Sequence, residues 1–306
     1  MRDACARAED AVAAFTGWTV DAGPTPEVLN RRDWVDANLR SLEPLLAVAE
    51  TRLPLSSAAA RAALRPAMSV QLGLLFGYLS RRVIAQFDLL GGERLLFVGP
   101  NIVETERRAD VEPEAFRMWV ALHEVTHRLQ FGGVSWLRPA LEEFLDRSLS
   151  LIAPHGRRPA DLVRRLRASL AHASALPGLA EALLTEEQRA LLREAQALMS
   201  AVEGHASFVM DRLGADVIPD VDRLRARVEG ARGSTAGPER TLQRLIGLEA
   251  KRRQYVDGKR FFDTVADRHG LDAVEAAWAS RDALPTVEEL SAPEAWAARV
   301  LGTDRQ

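Results

Sequence analysis

Residues 113–131 read PEAFRMWVALHEVTHRLQF. Pro113, with Glu112 before it and Glu114 after it, is a helix start: proline suits a first turn whose N–H groups have no partner, and acids favour the positive end of the helix. Within that helix stands His123-Glu124-Val125-Thr126-His127. At about 100° per residue, His127 lies about 40° round from His123 and one turn along, so two imidazoles can meet one cation from one face. Glu124 stands about 60° from His127, placed to reach a water on that cation without binding it. Gly132-Gly133 is expected to stop the helix.

The pattern is more than chance. Roughly one chain in a hundred of this length and His and Glu content would carry it by accident. Phe116, Val120 and Phe131 share the histidine face, so burial is expected. Two neutral imidazoles in an apolar groove need polar partners, and one cation supplies a partner to both. Zinc is the metal this spacing suits.

A third ligand must come from elsewhere. The extension HExxHxxGxxH fails, because Gln130 holds the glycine position and Gly133 the third histidine position. With Cys5 the only cysteine, no thiolate is near. A carboxylate from a later helix remains, and the candidates are Glu142, Glu143 and Glu203. Glu203 lies in the apolar stretch MSAVEGHASFVMD, where an unpaired carboxylate would be costly. His205, about 200° round from Glu203, could replace it as ligand but not join it. It is otherwise a neighbour of the metal or a group facing the substrate.

Outward from this helix the chain reads as mostly α. Helices are expected at 31–50, at 56–89 as one long or broken helix with a buried second half and Pro66 as the natural break point, and at 138–152, 160–174, 187–213, 239–254, 257–268 and 271–280. Arg94–Val98 (RLLFV) is the strand, and Ile102–Thr105 a second short extended piece. Gly230–Pro238 reads as a flexible loop. Gly73 and Gly77, in the apolar stretch 67–79, suggest a buried helix packed closely on a neighbour.

The 306 residues carry a net charge of -3, with 47% hydrophobic and 27% charged residues. Wholesale disorder is excluded, and no basic field points to nucleic acid. The stretch 67–79 is short for a membrane span. The N-terminus, with Asp3, Glu9 and Asp10, lacks a signal-peptide pattern, so a cytoplasmic protein with a loose start around Cys5 is expected. The Arg-rich pieces 157–167, 223–232 and 251–260 alternate with acids and apolar residues and read as solvated helix faces. His155, His172 and His269 need no role.

Four runs carry a family likeness: WVALHEVTHRLQFGGVSWLR, MSAVEGHASFVMD, LEAKRRQYVDGKRFF and ALPTVEELSAPEAWAARV. From about Leu95 onward the chain resembles the actinobacterial zincin-like family, described as zinc-dependent metalloproteases and in part labelled coenzyme F420 biosynthesis-associated. The resemblance implies a mainly α (α+β) zincin-like fold with a small β element. The expected organisation is an N-terminal helical region at 1–90 and a zincin-like catalytic region at 91–306, joined as one compact unit. The resemblance implies Zn2+ held by His123, His127 and, by its place in EGHA, Glu203, with Glu124 as general base. A peptide or protein is then the substrate. His205 and Tyr255 are candidate donors to the developing oxyanion, and the strand at Arg94–Val98 or the piece after it could pair with a peptide backbone. A zinc-binding interaction protein without catalysis and a small-molecule amidase are the alternatives.

Overall fold

The structure, a computed structural model, describes residues 1–21, 23–52, 58–152, 185–232 and 248–302. It opens with α1 (Arg2–Thr16), β1 (Glu27–Leu29), α2 (Arg31–Arg52) and α3 (Ala58–Leu79). A hairpin of β2 (Ala85–Asp88) and β3 (Arg94–Val98) leads into α4 (Gly99–Ala109), α5 (Pro113–Gly133) and α6 (Leu137–Ile152). Then come α7 (Glu186–Val217), α8 (Val221–Arg232) and α9 (Leu248–His269). The short α10 (Leu271–Ala276), α11 (Val287–Ser291) and α12 (Pro293–Val300) close the chain. This is a mainly α architecture with one small sheet.

α5 is the central element. Glu112 caps it, its carboxylate accepting the Ala115 N–H, and Pro113 fills the first turn. α1 and α7 both pack on α5, and α9 packs on α7. Their shared core takes Ala8 and Val12 from α1, Leu122 and Val125 from α5, Phe208 from α7 and Phe262 from α9. That core spans residue 90, so helices from both sides of the expected N-terminal boundary fill one interior.

The three strands are ordered β1-β3-β2. β3 runs parallel to β1, with Leu29 opposite Val98, and antiparallel to β2, with Ala85 opposite Phe97. Because side chains alternate along a strand, Leu95 and Phe97 enter the main core while Leu96 and Val98 enter a second cluster with Trp34 and Phe76. Buried Asp88 secures the hairpin by accepting from Ser41 Oγ at 2.8 Å, Gly91 N at 3.1 Å and Arg94 Nη2 at 2.7 Å.

Several sequence expectations need correction. Ile102–Thr105 is helical: it lies in α4, where Ile102, Thr105 and Ala109 bury one face at helical spacing. That removes it as a partner for a peptide backbone. β3 cannot serve either, since β1 and β2 take both its edges. Helix 56–89 stops at Leu79, its end passing into β2, and continues through Pro66. Gly73 and Gly77 meet nothing among the described residues, and Val70 and Leu74 are exposed, so this helix is not the buried one expected. Cys5 is not at a loose end; it is buried in α1, and that burial raises its thiol pKa to about 11. α5 does end at Gly133, as expected, and the bare backbone of Gly132 and Gly133 also lets Val20 and Trp18 close in. Gly230 continues α8 rather than opening a loop. The expected helix at 160–174, residues 233–238 of the expected loop and residues 239–247 of the helix expected at 239–254 lie outside the described residues.

The expected helices at 239–254 and 257–268 are, from Leu248, a single one, α9. The expected break at 255–256 is absent. A Cβ on Gly258 would run into the Ser200 carbonyl, and one on Gly204 into the Gly258 backbone. The two glycines let α7 and α9 approach backbone to backbone. Gly258→Ala should therefore cost about 2 kcal/mol or more of unfolding free energy. Gly230→Ala, with nothing near its Cβ position, should be neutral or stabilise by up to about 1 kcal/mol. Urea titration of both variants checks this.

Candidate metal centre

α5 presents His123 and His127 one turn apart, and α7 brings Glu203 against them. The two Nε2 atoms lie 3.2 Å apart, and the ring planes stand at 84°. Glu203 Oε2 is 3.4 Å from His127 Nε2 and 3.6 Å from His123 Nε2. Among the described residues these three form the one cluster of His, Cys, Asp or Glu donors tight enough for a metal ion.

The donor set can be tested against zinc. Zinc–nitrogen and zinc–oxygen bonds near 2.0–2.1 Å in a tetrahedron put the donors about 3.3 Å apart. The three observed separations bracket that value. His127 and Glu203 are buried, whereas the His123 side chain keeps 25% exposure, so the triangle opens to solvent on the His123 side. Burial opposes protonation of His127, yet the carboxylates of Glu203 and then Glu124 outweigh it and raise the pKa. The pocket thus favours positive charge where the three donors converge. Glu124 itself is buried to 7% exposure, beside the triangle and outside it.

Glu142 and Glu143 stand elsewhere. Glu142 accepts from Arg138 at 3.2 Å and Glu143 from Arg281 at 2.6 Å. His205 is fully buried, with Trp18, Phe262 and Trp278 ring centroids at 5.0, 5.2 and 5.2 Å. Its ring nitrogens have no hydrogen-bond partner among the described residues. Burial, then the neighbouring His127, push its pKa down to about 3. His205 is therefore a neutral ring walled in by aromatics. The side chain of Tyr255 lies outside the described residues.

Three participants were not expected from the sequence. Gln130 places Oε1 3.4 Å from His127 Nδ1, and Met210 places Sδ 3.3 Å from His123 Nδ1. Helical spacing could have found both: Gln130 is three residues past His127, and Met210 seven past Glu203. Arg128 is the third. Its guanidinium is buried against α1, donating to Glu9 at 3.1 Å and to the Asp21 carbonyl at 3.1 Å. It fastens α1 and the segment carrying Trp18 to the histidine helix. A separate cleft of about 520 Å³, lined by Arg7, Glu112, Met118, Leu224 and Arg227, contains none of the three donors.

Residues 1–297 match the family of zincin-like metallopeptidases. The chain belongs to that family. It is also similar to a protein of Chloroflexus aurantiacus, described from its crystal structure as a candidate hydrolase with a novel fold. The two share 27% identity at a TM-score of 0.72, over 99% of this chain and 91% of the other. No curated protein matches the sequence. Zincin-like membership agrees with the fold and with the grouping of His123, His127 and Glu203, and both likenesses support a hydrolase. No helix among the described residues is long and apolar enough to cross a membrane.

Glu203→Ala should weaken zinc binding by at least about 100-fold, more than the loss of a group that merely orients a ligand. Glu142→Ala and Glu143→Ala should bind as the wild type does. Competition against a chromophoric chelator measures all three.

Proposed function

We propose that this zincin-like chain is a zinc-dependent peptidase that hydrolyses peptide bonds, with His123, His127 and Glu203 holding the metal and Glu124 as general base. The observation that carries the reading is a triangle of three donors at zinc spacing, open on one side, with a buried carboxylate beside it that is not one of the three. A purely structural site would need a fourth protein donor, and none stands with these three among the described residues.

When bound, zinc supplies a Lewis acid and brings the pKa of a water toward about 7. Glu124 takes a proton from the attacking water and returns it to the leaving amine. It is suited to both because its neighbours on α5 fix its helical position while the metal ligands lie one face away. His123 and His127, anchored on one helix, keep two donors in register, and Glu203 closes the set from α7. His205, though close in sequence to Glu203, takes no part in proton transfer: it is neutral and enclosed.

The substrate backbone has one candidate edge near this helix. β2 packs on α5, with Phe87 and Phe131 rings 6.0 Å apart. Among the described residues β2 has no strand on its outer side. Strand addition there would lay an extended peptide along the sheet beside the histidine helix, which favours a peptide over a compact small amide.

Glu124→Gln should keep one zinc per chain and lower hydrolysis by at least about 100-fold, the usual lower bound for a lost general base. Elemental analysis and mass spectrometry of a peptide library digested by wild type and variant test this. A variant that lost its zinc, or that cleaved as fast as the wild type, would contradict the role.

A further inference from the structure

The two histidine ligands are backed by unlike groups. Behind His127 stands a carboxamide, Gln130 Oε1 at 3.4 Å from Nδ1. Behind His123 stands a thioether, Met210 Sδ at 3.3 Å. A neutral imidazole carries its proton on one nitrogen only, and the nitrogen that binds metal must be the bare one. An acceptor at Nδ1 keeps the proton there and leaves the Nε2 lone pair for the metal. A carboxamide oxygen is a good acceptor and a thioether a weak one.

We propose that Gln130 is the positioning residue of the metal centre, holding His127 in the tautomer and orientation that present Nε2 to His123 and Glu203. This rests on the metal reading above and deepens it. Three features of the chain point the same way.

Gln130 lies on the same helix as His127, three residues on, so α5 itself sets the distance. The side chain is fully buried, which leaves its amide little freedom to turn. The orientation also matters: with the amide reversed, Nε2 of Gln130 would donate to Nδ1 and move the imidazole proton onto the nitrogen that faces the metal.

The third feature is a cost. The Gln130 amide nitrogen is buried with no hydrogen-bond partner among the described residues. Leaving such a donor unmade is unfavourable, and an apolar residue of the same length would avoid it. A glutamine that only filled core space would thus be a poor choice, whereas one that orients a ligand explains why the oxygen is satisfied and the nitrogen is not. Sites that trade stability for function show this pattern.

Zinc alone is the probe, titrated against a chromophoric chelator into metal-free full-length protein, with the thermal midpoint of each metal-free chain measured alongside. Gln130→Met should weaken zinc binding about 10- to 100-fold while leaving the metal-free midpoint unchanged or raised. Gln130→Glu, which restores an oxygen acceptor at the same place, should bind zinc at least as tightly as the wild type. Met210→Leu, which removes only a thioether, should change affinity far less than Gln130→Met.

A Gln130→Met chain that bound zinc like the wild type, or that lost metal-free stability or failed to fold, would overturn the assignment and make Gln130 a packing residue. A wild-type chain that bound no zinc would instead sink the metal reading, and this inference with it.

Discussion

A carboxylate from α7 meets two imidazoles from α5 inside the interior that these helices build. Each group alone would be unfavourable there, because burial penalises the charge on Glu203 and leaves the imidazole nitrogens short of partners. Together they are consistent, since one donor atom of each comes within 3.6 Å of the other two, a grouping that suits a cation. The rest of the architecture keeps α5 and α7 at the separation this requires. Gly204 and Gly258 let α9 press on the far side of α7. Arg128, reaching Glu9 and the Asp21 carbonyl, holds α1 and the Trp18 segment across α5. Trp18 and Val20 settle over Gly132 and Gly133, and Trp18 closes the aromatic wall around His205.

That arrangement divides the site into a fixed side and an open side. His127 and Glu203 are buried, with Gln130 behind His127. His123 is the more exposed of the three candidate ligands, with the Met210 thioether at its Nδ1. The open side is where a substrate carbonyl would arrive, and Glu124 lies next to it without being spent as a ligand. In the proposed reading, the separation of His123 and His127 from Glu124 follows from their angular positions on one helix.

Much of the candidate metal centre was legible in the sequence because the His123–His127 spacing matches the helical period: residues one turn apart on a helix meet whatever else the protein does. Glu203 was legible for a different reason, the incongruity of a carboxylate in an apolar run. What escaped depends on which neighbour closes over a residue. Gly132-Gly133 read as a helix stop and is one, but it and Gly258 are also places where another segment comes near, and a glycine alone does not say which. Gly73 and Gly77 invited the opposite reading and meet nothing among the described residues. His205 sits two residues from Glu203, but only the packing of Trp18, Phe262 and Trp278 decides that it is enclosed. Ile102–Thr105 has β-branched residues and still forms a helix, because Pro100 starts one and the buried face repeats at helical spacing. The three-residue β1 offers too short a pattern to be read without its partner β3.

The most direct measurement is zinc-edge X-ray absorption on the zinc-loaded wild-type chain. The account predicts four nitrogen or oxygen neighbours at about 2.0–2.1 Å, with the outer-shell scattering of two imidazoles and no sulfur. A spectrum showing a third imidazole in place of the carboxylate, a sulfur neighbour, or a chain that retains no zinc would contradict it.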